Sequence, residues 1–184
     1  MAATATPLER GAPAPDFTLP GTDGRDWSRD ELRGPNGLLV MFICNHCPYV
    51  LAVIDRIVRD AAALKQAGIG CVAISSNDAE AYPQDSFARM QDYAREHGLD
   101  FPYLYDATQD VARAFGAVCT PDFFGYNARL ELQYRGRLDA SGRQAAAPDT
   151  RRELLEAMRE VAATGRGPAQ QTASIGCSIK WREA

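Results

Sequence analysis

The chain has 184 residues, with 20 basic side chains against 24 acidic ones, for a formal net charge of −4. That length supports one ordinary hydrophobic core without disulfide or metal staples. The slightly acidic balance, with no basic cluster, argues against a nucleic-acid partner. No apolar run approaches a membrane span, and the opening MAATATPLERGAPAPDF lacks the basic-then-apolar order of a signal peptide, so the expected setting is cytoplasmic. In such a reducing compartment five cysteines signify redox or metal chemistry rather than a structural disulfide framework.

Residues 1–15, rich in Ala and Pro, read as loosely ordered at the start. Asp16-Phe17-Thr18-Leu19 reads as a short strand, and Gly21-Thr22-Asp23-Gly24 supplies the turn that closes a hairpin onto Asp26-Trp27-Ser28. From Leu38 to Ile43 every residue is apolar, the mark of a fully buried strand. That strand runs straight into Cys44-Asn45-His46-Cys47, and Pro48 follows. Val50, Ile54, Ile57, Ala61 and Leu64 then recur at helical spacing along one face, and Gly68 stands where a helix-ending glycine belongs. A helix is therefore predicted over 48–67.

A second buried strand is predicted over 69–75, ending in Ser76-Asn77-Asp78. Phe87, Met90, Ala94 and His97 form a helical stripe over 84–97, followed by a short strand at 101–105 and a short helix at 111–115. Strands at 123–126 and 130–134 flank Asn127-Ala128-Arg129 as a hairpin. After a small-residue linker at 145–148, Asp149 is the expected N-cap of a last helix carrying Leu154, Leu155, Met158, Val161 and Ala162, ended by Gly165. The tail, 166–184, holds Cys177 and Trp181 and shows no period. The order βαβαβα, then hairpin, then helix, gives an α/β class: a central mixed sheet flanked by helices, with an N-terminal β-hairpin extension and a C-terminal tail. A single domain is expected over 1–184, its core running from 11 to 164.

A strand that ends in two cysteines and turns into a helix places thiols where helix-terminal N–H groups stabilise a thiolate. Proline is favoured at the first helical position, so Pro48 puts the helix start at itself and Cys47 at the N-cap. Cys47 is accordingly the expected nucleophile, with the lower pKa, and Cys44 the resolving thiol. The same thiols, with His46 or Cys177 added, have the chemistry of a soft-metal site. His46 as a catalytic base has weaker support than His46 as a solvent-exposed loop residue. Cys71 is expected in the core, His97 in a structural role, and Cys177 packed with Ile175 and Trp181 rather than folded back as a resolving thiol.

Three segments, in order, carry a resemblance to a known family: Ala14-Pro15-Asp16-Phe17-Thr18-Leu19, Phe42-Ile43-Cys44-Asn45-His46-Cys47-Pro48 and Thr120-Pro121-Asp122-Phe123-Phe124. Over 11–164 the chain resembles the thioredoxin-fold superfamily, most nearly the alkyl hydroperoxide reductase/thiol-specific antioxidant branch and its peroxiredoxin-like members. The resemblance implies a thioredoxin-like fold in which the Thr120–Pro121 bond is cis and faces the cysteines. This adds Cys119, Thr120 and Pro121 to Cys47 and Cys44 as site residues, with Cys119 a third candidate redox thiol. Against thioredoxin, Cys47 falls on the first cysteine of the CxxC motif and Val50 on the second, so the CxxC here is shifted upstream. Against peroxiredoxins, Cys47-Pro48 matches the peroxidatic cysteine and its proline. Val40, Cys44 and Thr120, however, stand where that family carries Pro, Thr or Ser, and Arg. The implied activity is thus thiol–disulfide exchange through a redox-active Cys44–Cys47 disulfide. It needs no cofactor and no metal; its partners are a protein or small-molecule disulfide or thiol and a reductant. A peroxiredoxin-like thiol peroxidase, or a copper- or zinc-binding module, is the alternative.

Overall fold

A computed structural model describes residues 1–7 and 9–183. In chain order the first elements are β1 (Ala2–Thr4), β2 (Thr18–Pro20), β3 (Asp26–Ser28) and α1 (Arg29–Leu32). They are followed by β4 (Gly37–Phe42), α2 (Pro48–Leu51), α3 (Ile54–Gln66) and β5 (Ile69–Ser75). A 3₁₀ turn (Pro83–Asp85) leads into α4 (Phe87–Glu96), β6 (Tyr103–Tyr105), α5 (Asp110–Phe115) and β7 (Cys119–Thr120). The last elements are β8 (Asp122–Asn127), β9 (Leu132–Tyr134), α6 (Glu153–Thr164) and β10 (Ile175–Ser178).

The central sheet is mixed, as expected. β4 pairs antiparallel with β8 from Gly37↔Asn127 to Phe42↔Asp122, and β8 pairs antiparallel with β9. β5 runs parallel to β6, and the sheet continues from β4 to β5 where the Ile43 N–H donates to the Ile74 carbonyl at 3.0 Å. Every residue of β4 is buried, which is why it carries no polar alternation. Successive side chains point to opposite faces. Leu39, Met41 and Ile43 pack with Ile54, Ile57, Ala61 and Leu64 of α3 and Leu154, Leu155, Met158 and Val161 of α6. Leu38, Val40 and Phe42 pack on the other side with Leu32, Ala112 and Phe115. Each such large side chain contributes about 1.5–3 kcal/mol by leaving water. Phe42, Phe115 and Phe124 meet edge-on with centroids 5.4–5.7 Å apart.

The expected hairpin forms between β2 and β3 in the register Leu19↔Trp27. Ser28 then closes a capping box with Glu31 that starts α1. Gly68 adopts φ +79° after α3, the left-handed turn that ends a helix.

Four expectations are corrected. The helix predicted over 48–67 is two helices, broken at Ala52-Val53, where Val53 leaves helical geometry with φ −123°. Val50, Val53, Ile54 and Ile57 are all buried, and the break turns this β-branched set inward together. The Ala52 carbonyl at the break accepts from the Arg56 guanidinium at 3.3 Å. Second, residues 1–15 are not all loose: β1 pairs antiparallel with β10. Third, the tail, although without a period, contributes β10, which also pairs with β7 to make a three-stranded sheet in the order β1-β10-β7. Fourth, α6 is capped at Arg152, not Asp149, because Arg152 is drawn to buried Asp60 and the Leu154 N–H donates to the Leu138 carbonyl.

Candidate active site

The C-terminal end of β4 delivers Cys44, and one loop later Cys47 caps the single-turn helix α2 with Pro48 at its first position. The Cys47 carbonyl accepts from the N–H groups of Val50 (3.0 Å) and Leu51 (2.9 Å), which fixes this turn. Facing it is the bond between Thr120 and Pro121, which is cis, as the resemblance implied. The Cys47 thiol donates to the Thr120 carbonyl at 3.2 Å, while Cys44 Sγ lies 3.6 Å from Thr120 Oγ1. One threonine thus contacts both thiols, one through its backbone and one through its hydroxyl.

Both cysteines are sealed: Cys44 is 1% exposed and Cys47 0%. A hydrogen bond from the Cys44 thiol is the largest influence on Cys47 and holds its pKa down to about 4, against the opposing effect of burial. The Cys177 thiol, Thr120 and the Val50 N–H add to that lowering. The Cys44 thiol is pushed far up, because it is the donor in this bond, is buried, and lies in the field of Asp85. The Cys47 pKa is thus lowered and the Cys44 pKa raised, and the long helix field invoked above is not the cause. A helix of four residues carries little of the field assigned above to a long helix. Neighbouring S–H and N–H donors supply the stabilisation instead.

Cys177 sits on β10 directly opposite Thr120, the residue whose carbonyl accepts from the Cys47 thiol. Burial first, and the neighbouring Cys47 sulfur second, push its own pKa up to about 11. The tail thiol expected to pack with Ile175 and Trp181 is thus brought by its strand to the segment that contacts Cys47. Gly176 permits the approach: a Cβ there would lie 2.0 Å from the Thr120 oxygen. Cys119, on β7, has its Sγ 3.7 Å from the Pro121 carbonyl, and burial pushes its pKa up. Next to it, buried Asp122 accepts from Arg135 at 3.1 Å and from the Val118 N–H at 3.3 Å, anchoring the segment that presents Thr120. Cys71 is half-buried in β5, where burial raises its pKa to about 12. His97 caps the end of α4 beside the Tyr93 ring.

Asp85 is the residue that the sequence reading missed. Its side chain is fully buried at the loop between the two cysteines, 2.6 Å from His46 Nδ1. Its oxygens accept from the Asn45 N–H and from Asn77 Nδ2, each at 2.8 Å. Tyr103 adds a hydrogen bond to Asn45 Oδ1 at 2.8 Å, and the His46 ring stacks on Tyr82. Donor atoms of Cys44, His46 and Asp85 lie within 4.8 Å of one another, the spacing of a metal cluster. Each Asp85 oxygen already accepts from the loop or its neighbour, Oδ1 from the Asn45 N–H and Oδ2 from Asn77, so the group fits a pin for the loop better than a cation cage. The available signal for Asp85 was positional: it follows the end of β5, and functional loops gather at the C-terminal ends of neighbouring strands.

The model of the AhpC/TSA family matches residues 10–141. An uncharacterised conserved protein from Geobacillus kaustophilus superimposes with a TM-score of 0.94 at 41% identity, covering 100% of this chain and 98% of its own. A hypothetical protein from Sinorhizobium meliloti gives 0.93 at 36%, covering 98% and 99%. A thiol:disulfide interchange protein of the thioredoxin family from Chlorobium tepidum shares the fold, with a TM-score of 0.64 at 20% identity over 85% of this chain and 99% of its own. No curated protein matches the sequence.

Proposed function

The chain belongs to the AhpC/TSA family, and we propose that it is a cytoplasmic thiol–disulfide oxidoreductase with Cys47 as nucleophile and Cys44 as resolving thiol. One observation carries this reading: Thr120, at the cis bond to Pro121, contacts both buried sulfurs, its carbonyl 3.2 Å from Cys47 Sγ and its hydroxyl 3.6 Å from Cys44 Sγ. The two thiols thus share one site, with Cys47 shifted toward ionising and Cys44 toward keeping its proton. The Cys47 thiolate attacks one sulfur of a substrate disulfide, forming a mixed disulfide and expelling the other sulfur as a thiolate. The Cys44 proton passes to that thiolate. The Cys44 sulfur then attacks Cys47 Sγ, breaks the mixed disulfide and releases the second substrate thiol. Two electrons have moved to the substrate, and a Cys44–Cys47 disulfide remains for a reductant thiol to reopen. No cofactor takes part. A shallow cleft lined by Tyr49, Pro121, Phe123 and Ile175 offers apolar surface beside the site, and Ile175 is 53% exposed there.

Peroxide reduction ranks second on geometry. The Thr120 group 3.2 Å from Cys47 Sγ is a carbonyl, an acceptor, whereas a peroxidatic site needs donors aimed at the departing hydroxyl. Stopped-flow kinetics of the reduced protein with a small aromatic disulfide and with hydrogen peroxide decides between the two. We expect disulfide reduction to be the faster and to disappear in Cys47→Ser. Rapid, saturable peroxide consumption that depends on Cys47 alone would reverse the ranking.

A further inference from the structure

We propose that Cys177 is the port through which electrons enter the buried dithiol: it exchanges with the Cys44–Cys47 disulfide and presents the resulting Cys47–Cys177 bond to external thiols. This inference rests on the oxidoreductase reading above. Thiol–disulfide exchange needs a thiolate in line with a disulfide sulfur, and access governs its rate. Cys44 and Cys47 are 1% and 0% exposed, so of the three sulfurs Cys177 is the one most open to an external thiol. Cys177 is half-buried and lies directly opposite Thr120, whose carbonyl accepts from the Cys47 thiol at 3.2 Å.

The surroundings of Cys177 hold it in that position from several sides. Its strand is locked by Cys177↔Thr120 and Ser178↔Cys119 on one edge and by Ala2↔Cys177 on the other. Beyond it, the Lys180 N–H donates to Asn77 Oδ1 at 2.9 Å, and Asn77 in turn holds Asp85. The tail is thus tied to the loop that carries the other two thiols. The Tyr49 N–H, in the first turn of α2, and the Lys180 ammonium both favour negative charge at the Cys177 sulfur.

The exchange balances as follows. The Cys177 sulfur, giving up its proton, attacks Cys47 Sγ; the Cys47–Cys177 bond forms, the Cys44–Cys47 bond breaks, and Cys44 leaves as a thiolate that takes the proton. An external thiol then attacks Cys177 Sγ and expels Cys47. Cys47 is the better leaving group, since a sulfur held as a stable thiolate departs faster. A second external thiol removes the first from Cys177 as a disulfide. Two external thiols are oxidised, and Cys44 and Cys47 are returned to the reduced state.

The test uses full-length wild type, Cys177→Ser and Cys44→Ser. Wild type and Cys177→Ser are oxidised with a small disulfide, and the Cys44–Cys47 bond is identified by peptide mass spectrometry. Reduction by dithiothreitol is then followed by acid quench and alkylation. Without the port, reduction is left to direct attack on the buried sulfurs, so we expect Cys177→Ser to react roughly tenfold or more slowly than wild type. The same oxidation should join Cys47 to Cys177 in Cys44→Ser. Equal reduction rates, or a Cys44→Ser protein in which Cys47 and Cys177 stay unjoined, overturn the port and leave the oxidoreductase reading standing. Failure of both wild type and Cys177→Ser to form the Cys44–Cys47 bond overturns that reading and the port together.

Discussion

Replacing Cys44 by Ala should raise the pKa of Cys47, while replacing it by Ser should leave the pKa much closer to its native position. The largest single influence holding Cys47 at about 4 is the hydrogen bond donated by the Cys44 thiol. A hydrogen bond to a charged group contributes about 1.5–3 kcal/mol. At about 1.4 kcal/mol per pH unit, its loss moves the titration up by roughly one to two pH units. Ala removes the donor; Ser keeps an O–H in its place, so the pair separates loss of the bond from loss of bulk. The Cys177 thiol and the Val50 N–H remain in both variants, and so the Ala variant should still titrate below an ordinary cysteine. The assay is iodoacetamide labelling of the reduced proteins across pH, with mass spectrometry assigning the modified cysteine and the midpoint of each rate profile giving the pKa. An unmoved midpoint in Cys44→Ala refutes the argument that neighbouring thiols, rather than the helix turn, stabilise the thiolate. In the wild type, labelling of Cys44 at lower pH than Cys47 would refute the assignment of roles.

The depressed pKa of Cys47 also ties stability to pH. A group whose folded pKa lies below its unfolded value contributes stability that is fully present above the unfolded pKa and lost as pH falls toward the folded one. For Cys47 that window runs from about 4 up to the ordinary thiol range. Urea denaturation of the reduced protein should show stability rising with pH between about 5 and 8, by up to about 1.4 kcal/mol per unit, relative to Cys47→Ser; parallel curves for the two proteins would contradict the shift. Gly176→Ala should force β10 off the Thr120 backbone, because the added Cβ would fall 2.0 Å from the Thr120 oxygen and 2.6 Å from its carbon. Overpacking of this kind costs about 1–3 kcal/mol, read as a lowered melting temperature, and the Cys47 labelling midpoint should rise as Cys177 withdraws. An unchanged melt and midpoint would show that the strand does not hold this contact.

How far the chain's own pattern reveals the fold depends on how local the deciding contacts are. Leu38 to Ile43 announce a central strand because both faces of β4 are covered, and the stripe from Val50 to Leu64 announces the buried side of α2 and α3. The break between those helices is invisible to periodicity, because Val53 keeps the apolar spacing while leaving helical geometry. β1 and β10 have three and four residues and no alternation to read; each exists because the other supplies its hydrogen bonds from the far end of the chain. The same distance in sequence hid part of the site. Cys44, Cys47, Thr120 and Pro121 sit in motifs that carry their own context. Cys177 acquires its place only through pairing with Thr120, and Asp85 only through the loop it pins. The cap of α6 shifted from Asp149 to Arg152 for a similar reason, since buried Asp60, many residues away, outweighs local capping.

The pairing of the chain's first strand with its last also sets an order of assembly. Synthesis runs from the N-terminus, and domains begin to fold as they emerge. β4, α2 and the Thr120–Pro121 segment are therefore complete while β1 still waits for its partner and Cys47 still lacks the strand that lies against it. During that interval Cys47 has Cys44 beside it but not Cys177. A chain released a few residues short of Ile175 would keep this half-finished state permanently: its dithiol would be open to solvent on the side that β10 closes, with one fewer donor to steady the thiolate. The final dozen residues thus convert a reactive pair of thiols into a guarded one.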